Sequence, residues 1–230
     1  MATWKYDVED NDPYLFKQGD IIKIGDVATV AVADIEKGDI PKFIRKVKIS
    51  PTVVYSDPPW NAGNATSFRT KAGLPRKVVF MEGFMKQFLK GVKYKKVFIE
   101  MGFQKVKEVE DLIKEAGGVV YKTYEVKYYK KHESRLIWCG WGVNSVQEKI
   151  DLTGYDDNDL PTIVIQHYTD KNDVIFDPCT GVEACTPLAA ISAGRYYLGT
   201  ELSPYRLCRS IHEIVKKSGG EVKKIGNLYQ

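Results

Sequence analysis

Apolar residues along the chain alternate between compact runs and stripes at helical spacing. Residues 51–56 carry Val53, Val54 and Tyr55, a β-branched and aromatic run stopped by Asp57, Pro58 and Pro59, which predicts a buried parallel strand. Phe80, Met81, Phe84, Met85, Phe88 and Leu89 recur on one helical face. Residues 96–101 form the next strand, and Val106, Val109, Leu112, Ile113 and Ala116 line another helix that Gly117 and Gly118 end. Residues 119–129 and 135–139 read as antiparallel neighbours. Pro161 opens a short helix, residues 174–176 form a strand running into Asp177, and residues 196–202 form one more. Ser203 caps a final helix with the stripe Leu207, Ile211, Ile214 and Val215, and Gly219 and Gly220 end it. Upstream, residues 20–35 read as a strand, a Gly25-Asp26 turn and a short apolar element. Strand and helix in alternation define an α/β sheet covered by helices on both faces.

With 230 residues, 43% of them hydrophobic and 28% charged, the chain can build one good-sized core, and a disordered chain is excluded. No run approaches the roughly 18 apolar residues of a membrane helix, and Met1 to Asp7 show neither a basic nor an apolar leader region. A cytoplasmic protein of a prokaryotic or viral host, without a membrane partner, is the expectation. The four cysteines, Cys139, Cys179, Cys185 and Cys208, form no C-x-x-C pair, and there are three histidines, so neither a metal constellation nor a disulfide framework is expected. The net charge of +4 permits a nucleic-acid partner without requiring one.

In open α/β sheets ligands sit beyond the carboxyl ends of the strands. Two strand ends carry chemistry. In Asp57, Pro58, Pro59 and Trp60, two prolines fix the turn and leave its carbonyls free to accept hydrogen bonds, beside a carboxylate and an indole plane. Acceptors beside an aromatic plane suit an exocyclic amine. At the second, Phe176, Asp177, Pro178, Cys179, Thr180 and Gly181 are followed at the end of the next strand by Glu201 and Leu202. A glycine turn after one strand and an acid after the next suit a nucleoside-bearing cofactor, with Glu201 placed for ribose hydroxyls.

These residues resemble the amino-group DNA methyltransferases, which transfer a methyl group from S-adenosylmethionine to adenine N6 or cytosine N4. Their catalytic motif, (Asp/Asn/Ser)-Pro-Pro-(Tyr/Phe/Trp), is similar to Asp57 through Trp60, and their Asp-Pro-Phe-x-Gly-Ser-Gly-Thr motif is similar to residues 177–184. This chain departs at Cys179, in place of Phe, and at Glu183, in place of the second glycine. The catalytic motif precedes the cofactor motif, an order that resembles the permuted β class.

The resemblance implies one Rossmann-like methyltransferase domain over residues 1–230, with an N-terminal extension at 1–19 and a mostly parallel seven-stranded sheet. It implies S-adenosylmethionine as cofactor and no metal. The implied catalytic residues are Asp57, Pro58, Pro59 and Trp60, and the implied cofactor residues are Asp26, Asp57, Phe176, Asp177, Pro178, Cys179, Thr180, Gly181, Glu201 and Leu202. Gly25-Asp26 resembles the turn that meets the cofactor adenine, with Gly226-Asn227 as a competing candidate; residues 161–169 resemble the short helix before the cofactor strand. Asp at the first catalytic position implies adenine as target. RNA adenine methyltransferases share the Asp-Pro-Pro-Trp motif, and a catalytically silent nucleic-acid-binding subunit is a further alternative.

Two basic regions suit a nucleic-acid face, or equally a solvated lysine surface. Lys86, Lys90, Lys93, Lys95 and Lys96 cluster at one helix end, and Lys122, Lys127, Lys130, Lys131 and Arg135 interleave with Tyr121, Tyr124, Tyr128 and Tyr129. Residues 61–77, with Arg69, Lys71, Arg76 and Lys77, read as a long mobile loop beside the catalytic turn. The candidate DNA contacts are therefore Arg69, Lys71, Arg76, Lys127, Lys130 and Lys131. About 100 residues separate Trp60 from Pro161, too few for a separate target-recognition domain. This leaves relaxed specificity, recognition by loops, a homodimer or a partner subunit.

Overall fold

The computed structural model describes residues 6–130 and 132–230. In chain order the elements are β1 (Asp20–Ile24), β2 (Ala28–Val32), α1 (Asp39–Val47), β3 (Val53–Ser56), α2 (Ala62–Lys71), α3 (Met81–Gly91), β4 (Val97–Gly102) and α4 (Val106–Glu115). They continue with β5 (Val119–Tyr128), β6 (His132–Gly140), α5 (Leu160–Tyr168), β7 (Val174–Asp177), α6 (Cys185–Ser192), β8 (Tyr196–Glu201), α7 (Pro204–Ser218) and β9 (Val222–Asn227). All strands join one sheet in the order β5-β6-β4-β3-β7-β8-β2-β1-β9.

The sheet differs from the expected mostly parallel, seven-stranded one: among the described residues it has nine strands and is mixed. Only the five central strands, β4-β3-β7-β8-β2, run parallel. The hairpin β5–β6 closes one edge and β1 with β9 closes the other, all antiparallel. The reason is local: Gly25, at φ 49°, turns β1 straight back into β2, and a strand returned by so tight a turn must pair antiparallel. Strand β9 has no signature in the sequence because Lys223, Lys224 and Ile225 lie exposed on a sheet edge, where no apolar alternation is required.

Side chains alternate across the central strands and build a core on each face. Val54 joins Ile40, Phe43, Met85, Phe88 and Ile113 beneath α1, α3 and α4. Val53 and Tyr55 join Leu160, Val164, Leu207, Ile211 and Ile214 beneath α5 and α7. Helix α2 occupies most of residues 61–77, where the sequence predicts a loop. The Asn61 side chain accepts the Asn64 amide at 2.8 Å and so caps the helix, which buries only Ala65 and thus shows no apolar stripe. Among the described residues no helix is long and apolar enough to cross a membrane.

The approach of α1 to α3 depends on Gly91, where an added Cβ would fall 2.4 Å from Ile40 Cγ2. Gly91→Ala should therefore overpack this core and cost about 1–3 kcal/mol. Calorimetry should show the melting temperature lowered by about 2–4 °C per kcal/mol; an unchanged value would mean that the helices separate freely.

Candidate active site

The carboxyl ends of β2, β3, β4, β7 and β8 open along one edge of the sheet and bring both motif turns together. Ser56, the last residue of β3, donates its hydroxyl to Asp177 Oδ1 at 2.9 Å, and the Cys179 amide donates to the same oxygen at 2.9 Å. Asp177, 3% exposed, thus ties the catalytic turn to the cofactor turn. Burial pushes its carboxyl up to about 6 against these hydrogen bonds.

Asp57 opens on the cleft but is walled by protein on its other sides. This desolvation pushes its carboxyl up to about 7; the Trp60 hydrogen bond opposes the shift and the Asp177 charge adds to it. The Trp60 indole donates to Asp57 Oδ1 at 2.6 Å. Its ring lies against Gly102, where a Cβ would come within 2.9 Å, and tilts at 59° to Tyr128 with centroids 4.6 Å apart.

The second turn is braced from both sides. Gly181, at φ 72°, donates its amide to Glu201 Oε2 at 3.0 Å, and the Ser203 amide donates to Glu201 Oε1 at 3.0 Å. Thr200 Oγ1 donates to the Pro178 carbonyl at 2.6 Å, and Ser210 Oγ to the Gly181 carbonyl at 2.6 Å. The Arg206 guanidinium lies 3.6 Å from Glu201. Glu183, the departure from the family pattern, is exposed on the cleft wall, and Ala184 turns the chain into α6 at φ 56°. Burial raises the Cys179 thiol well above its ordinary range, with the Asp177 charge adding to the shift.

A cleft is lined by Asp57, Pro58, Pro59, Trp60, Asp177, Cys179, Thr180 and Gly181, all expected at the site. An adjoining pocket holds Glu201, Leu202 and Pro178, and shares Asp57, Pro59, Phe68, Cys179 and Arg206 with the cleft. Two expected cofactor residues, Phe176 and Asp26, fall outside this arrangement. Phe176 is fully buried and packs against Phe43 in the core, because it points to the sheet face rather than past the strand end. Asp26 lies at the opposite end of the sheet: Ala28 pairs with Tyr197 near the start of β8, and the Asp26 side chain meets Lys23 in solvent at 2.9 Å. Gly226-Asn227 lies at the end of β9 that shares the site edge, where Asn227 donates to Asp20 at 3.1 Å, yet it lines neither pocket.

The Arg69 guanidinium lies 3.1 Å from Asp34 and 3.1 Å from Glu36, and its side chain is 12% exposed, so α2 turns it into the pocket rather than toward a phosphate. Lys77 reaches Glu36 at 3.6 Å, Lys71 lies 5.7 Å from the Phe68 ring centre, and Arg76 is exposed. Lys127 and Lys130 are exposed at the end of the β5–β6 hairpin beside Tyr128 and Tyr129, which line the cleft. Lys131 lies outside the described residues.

Several lining residues escape a reading of the sequence. Asp34 follows β2 as Asp57 follows β3, a signal available in the apolar run it terminates. Glu100, Asp157 and Asn158 reach the cleft from β4 and the approach to α5. Away from the cleft, Asp12, Cys208 and His212 bring ligand atoms within 4.8 Å of one another, with Asp12 Oδ2 2.8 Å from His212 Nε2 and Oδ1 3.3 Å from Cys208 Sγ.

No protein-family model and no curated protein matches the sequence. The fold is similar to the crystal structure of the M1.HpyAVI–SAM complex at 15% identity and a TM-score of 0.61, over 81% of this chain and 98% of that one. It is similar to TTHA0409, a putative DNA modification methylase from Thermus thermophilus complexed with S-adenosyl-L-methionine, at 13% identity and 0.59, over 86% and 97%. The cytosine-N4-specific PvuII DNA methyltransferase follows at 13% and 0.52, over 84% and 92%. The chain therefore has an α/β methyltransferase-like fold.

Proposed function

We propose that the protein transfers a methyl group from S-adenosylmethionine to the exocyclic amine of a nucleic-acid base, adenine N6 in DNA. The observation that carries this reading is the shared cleft: Asp57 through Trp60 and the turn from Asp177 to Gly181 face one space and are joined through Ser56 and Asp177. The described complexes of M1.HpyAVI and TTHA0409 with S-adenosylmethionine support the cofactor, and the names of TTHA0409 and PvuII support DNA. Asp at the first catalytic position, in the family that the sequence resembles, supports adenine.

The donor set fits a cationic nucleoside cofactor. Asp57 and Asp177 supply carboxyl groups to the cleft, and each Glu201 oxygen, bonded once to an amide, keeps a lone pair for a ribose hydroxyl. When bound, the cofactor supplies an electrophilic methyl group on a sulfonium. Asp57 and the Pro58 carbonyl accept the two amino protons and draw the amine lone pair out of the ring system toward tetrahedral geometry. Trp60 offers its ring to the extruded base, held by Gly102 and Tyr128. After transfer the amine carries one proton too many, and Asp57, with its carboxyl near 7, takes it.

Labelled S-adenosylmethionine incubated with oligonucleotides containing adenine or cytosine as the single amino base should label adenine. Label on cytosine alone would correct the target, and no label on any DNA or RNA would overturn the reading. Glu201→Ala should weaken cofactor binding by about 1–3 kcal/mol in a calorimetric titration. An unchanged titration curve would place the ribose elsewhere.

A further inference from the structure

We infer that Glu100 reads the ring nitrogen beside the target amine, so that Glu100 and Asp57 together clasp the amidine edge that adenine and cytosine share. This inference rests on the proposed methyl transfer and names the group that selects the base.

Glu100 lies on β4, next to β3, and the register Ser56↔Ile99 makes Asp57 and Glu100 the following pair on these parallel strands. Neighbouring strands lie about 4.8 Å apart, so two carboxyl groups there can converge on one planar edge. Both line the same cleft. Glu100 is 2% exposed, and its two oxygens differ: Oε1 accepts a hydrogen bond from the Tyr55 hydroxyl, while Oε2 is buried without a hydrogen-bond partner. An orphaned buried polar atom costs stability unless something else completes it. Tyr55, itself a buried residue of β3, holds the carboxyl in place and leaves Oε2 for a ligand.

The polarity of the missing partner follows from the surroundings. Burial, together with the charge of Asp57 and further carboxylates at Asp157 and Asp177, raises the Glu100 carboxyl well above its ordinary range against the Tyr55 hydrogen bond. This direction favours the protonated carboxyl, which, with Oε1 already accepting, offers an O–H donor from Oε2. Adenine N1, beside N6, and cytosine N3, beside N4, are acceptors that match this donor. Guanine N1 and thymine N3 carry hydrogens and would meet it donor to donor. Asp57 accepts from the amine and Glu100 donates to the ring nitrogen, a complementary pair for the amidine edge alone.

The test uses oligonucleotides in which the target adenine is replaced by 1-deazaadenine, or the target cytosine by 3-deazacytosine, so that the ring nitrogen becomes a C–H. The wild-type protein should methylate the normal base with kcat/KM about 10- to 100-fold higher than the deaza base. Glu100→Met, similar in volume but unable to donate, should lose most of this discrimination, and Glu100→Gln, whose amide still donates, should keep it. If Glu100→Met slows both substrates equally and leaves their ratio intact, or if Glu100→Gln loses the ratio, Glu100 only supports the fold and the inference is overturned. A wild-type ratio near one overturns it while leaving methyl transfer standing. A wild-type protein that methylates no base overturns both readings together.

Discussion

Asp57→Ala should lower methyl transfer by about 10³-fold, the scale on which a positioned acceptor and proton acceptor contribute together. Cofactor affinity should change far less, because the carboxyl hydrogen bonds to Trp60 rather than to the glycine turn. Single-turnover assays with calorimetric titration separate the two quantities; unchanged turnover would remove the catalytic assignment. The wild-type pH profile carries the same information. In the proposed role Asp57 must be ionised to take the amine proton, and its carboxyl lies at about 7, so kcat/KM should rise with pH and level off above about 7. Stability moves the opposite way. The folded-state value lies above the ordinary 3.8, so the native chain holds this proton more tightly than the unfolded one. The stability that this protonation confers is present at low pH and is lost as pH rises from about 4 through about 7. Asp57→Asn removes that dependence, and its melting temperature should gain on the wild type across this window while activity is lost.

What the sequence makes legible follows from how each feature is encoded. Strand β3 and its turn are readable because burial on both faces demands a continuous apolar run, and Asp57 and the two prolines stop it abruptly. Helix α7 is readable because a Ser203 cap, Pro204 and a regular stripe all agree. Helix α2 is not, since a helix that buries only Ala65 is written by its Asn61 cap rather than by a stripe. Glu100 is hidden too, because its meaning lies in the β3–β4 register and in an oxygen left without a partner, neither of which has a linear signature. Asp26 shows the converse error: a Gly-Asp turn after a strand looks the same at either end of a sheet, and only the pairing of Ala28 with Tyr197 places it away from the cleft. Arg69 belongs to a third kind, a cation whose partners, Asp34 and Glu36, are over thirty residues away in sequence.

DNA affinity should fall steeply with salt, and the slope should trace to the β5–β6 hairpin. The residues between Trp60 and Pro161 form α2, α3, β4, α4 and this hairpin. Affinity drawn from phosphates is insensitive to sequence, and methylation should then occur in a short or degenerate context. Several of the basic groups that suit such a face are engaged within the protein: Lys122 with Glu148 at 2.6 Å, Arg135 with Glu125 at 3.2 Å, and Arg69 with Asp34 and Glu36. Lys127 and Lys130 are exposed at the hairpin end, beside the cleft that Tyr128 and Tyr129 line. For about six phosphate contacts the affinity should drop about 10³-fold between about 50 and 200 mM salt. Lys127→Ala with Lys130→Ala should flatten the log–log slope by about 2 units, roughly one for each lost contact. Arg69→Ala should leave the slope unchanged and lower the melting temperature, because it strands Asp34, 2% exposed, without its cation. A salt titration of the three proteins decides between the two surfaces. A slope that survives the lysine pair but flattens in Arg69→Ala would move the DNA from the hairpin to α2.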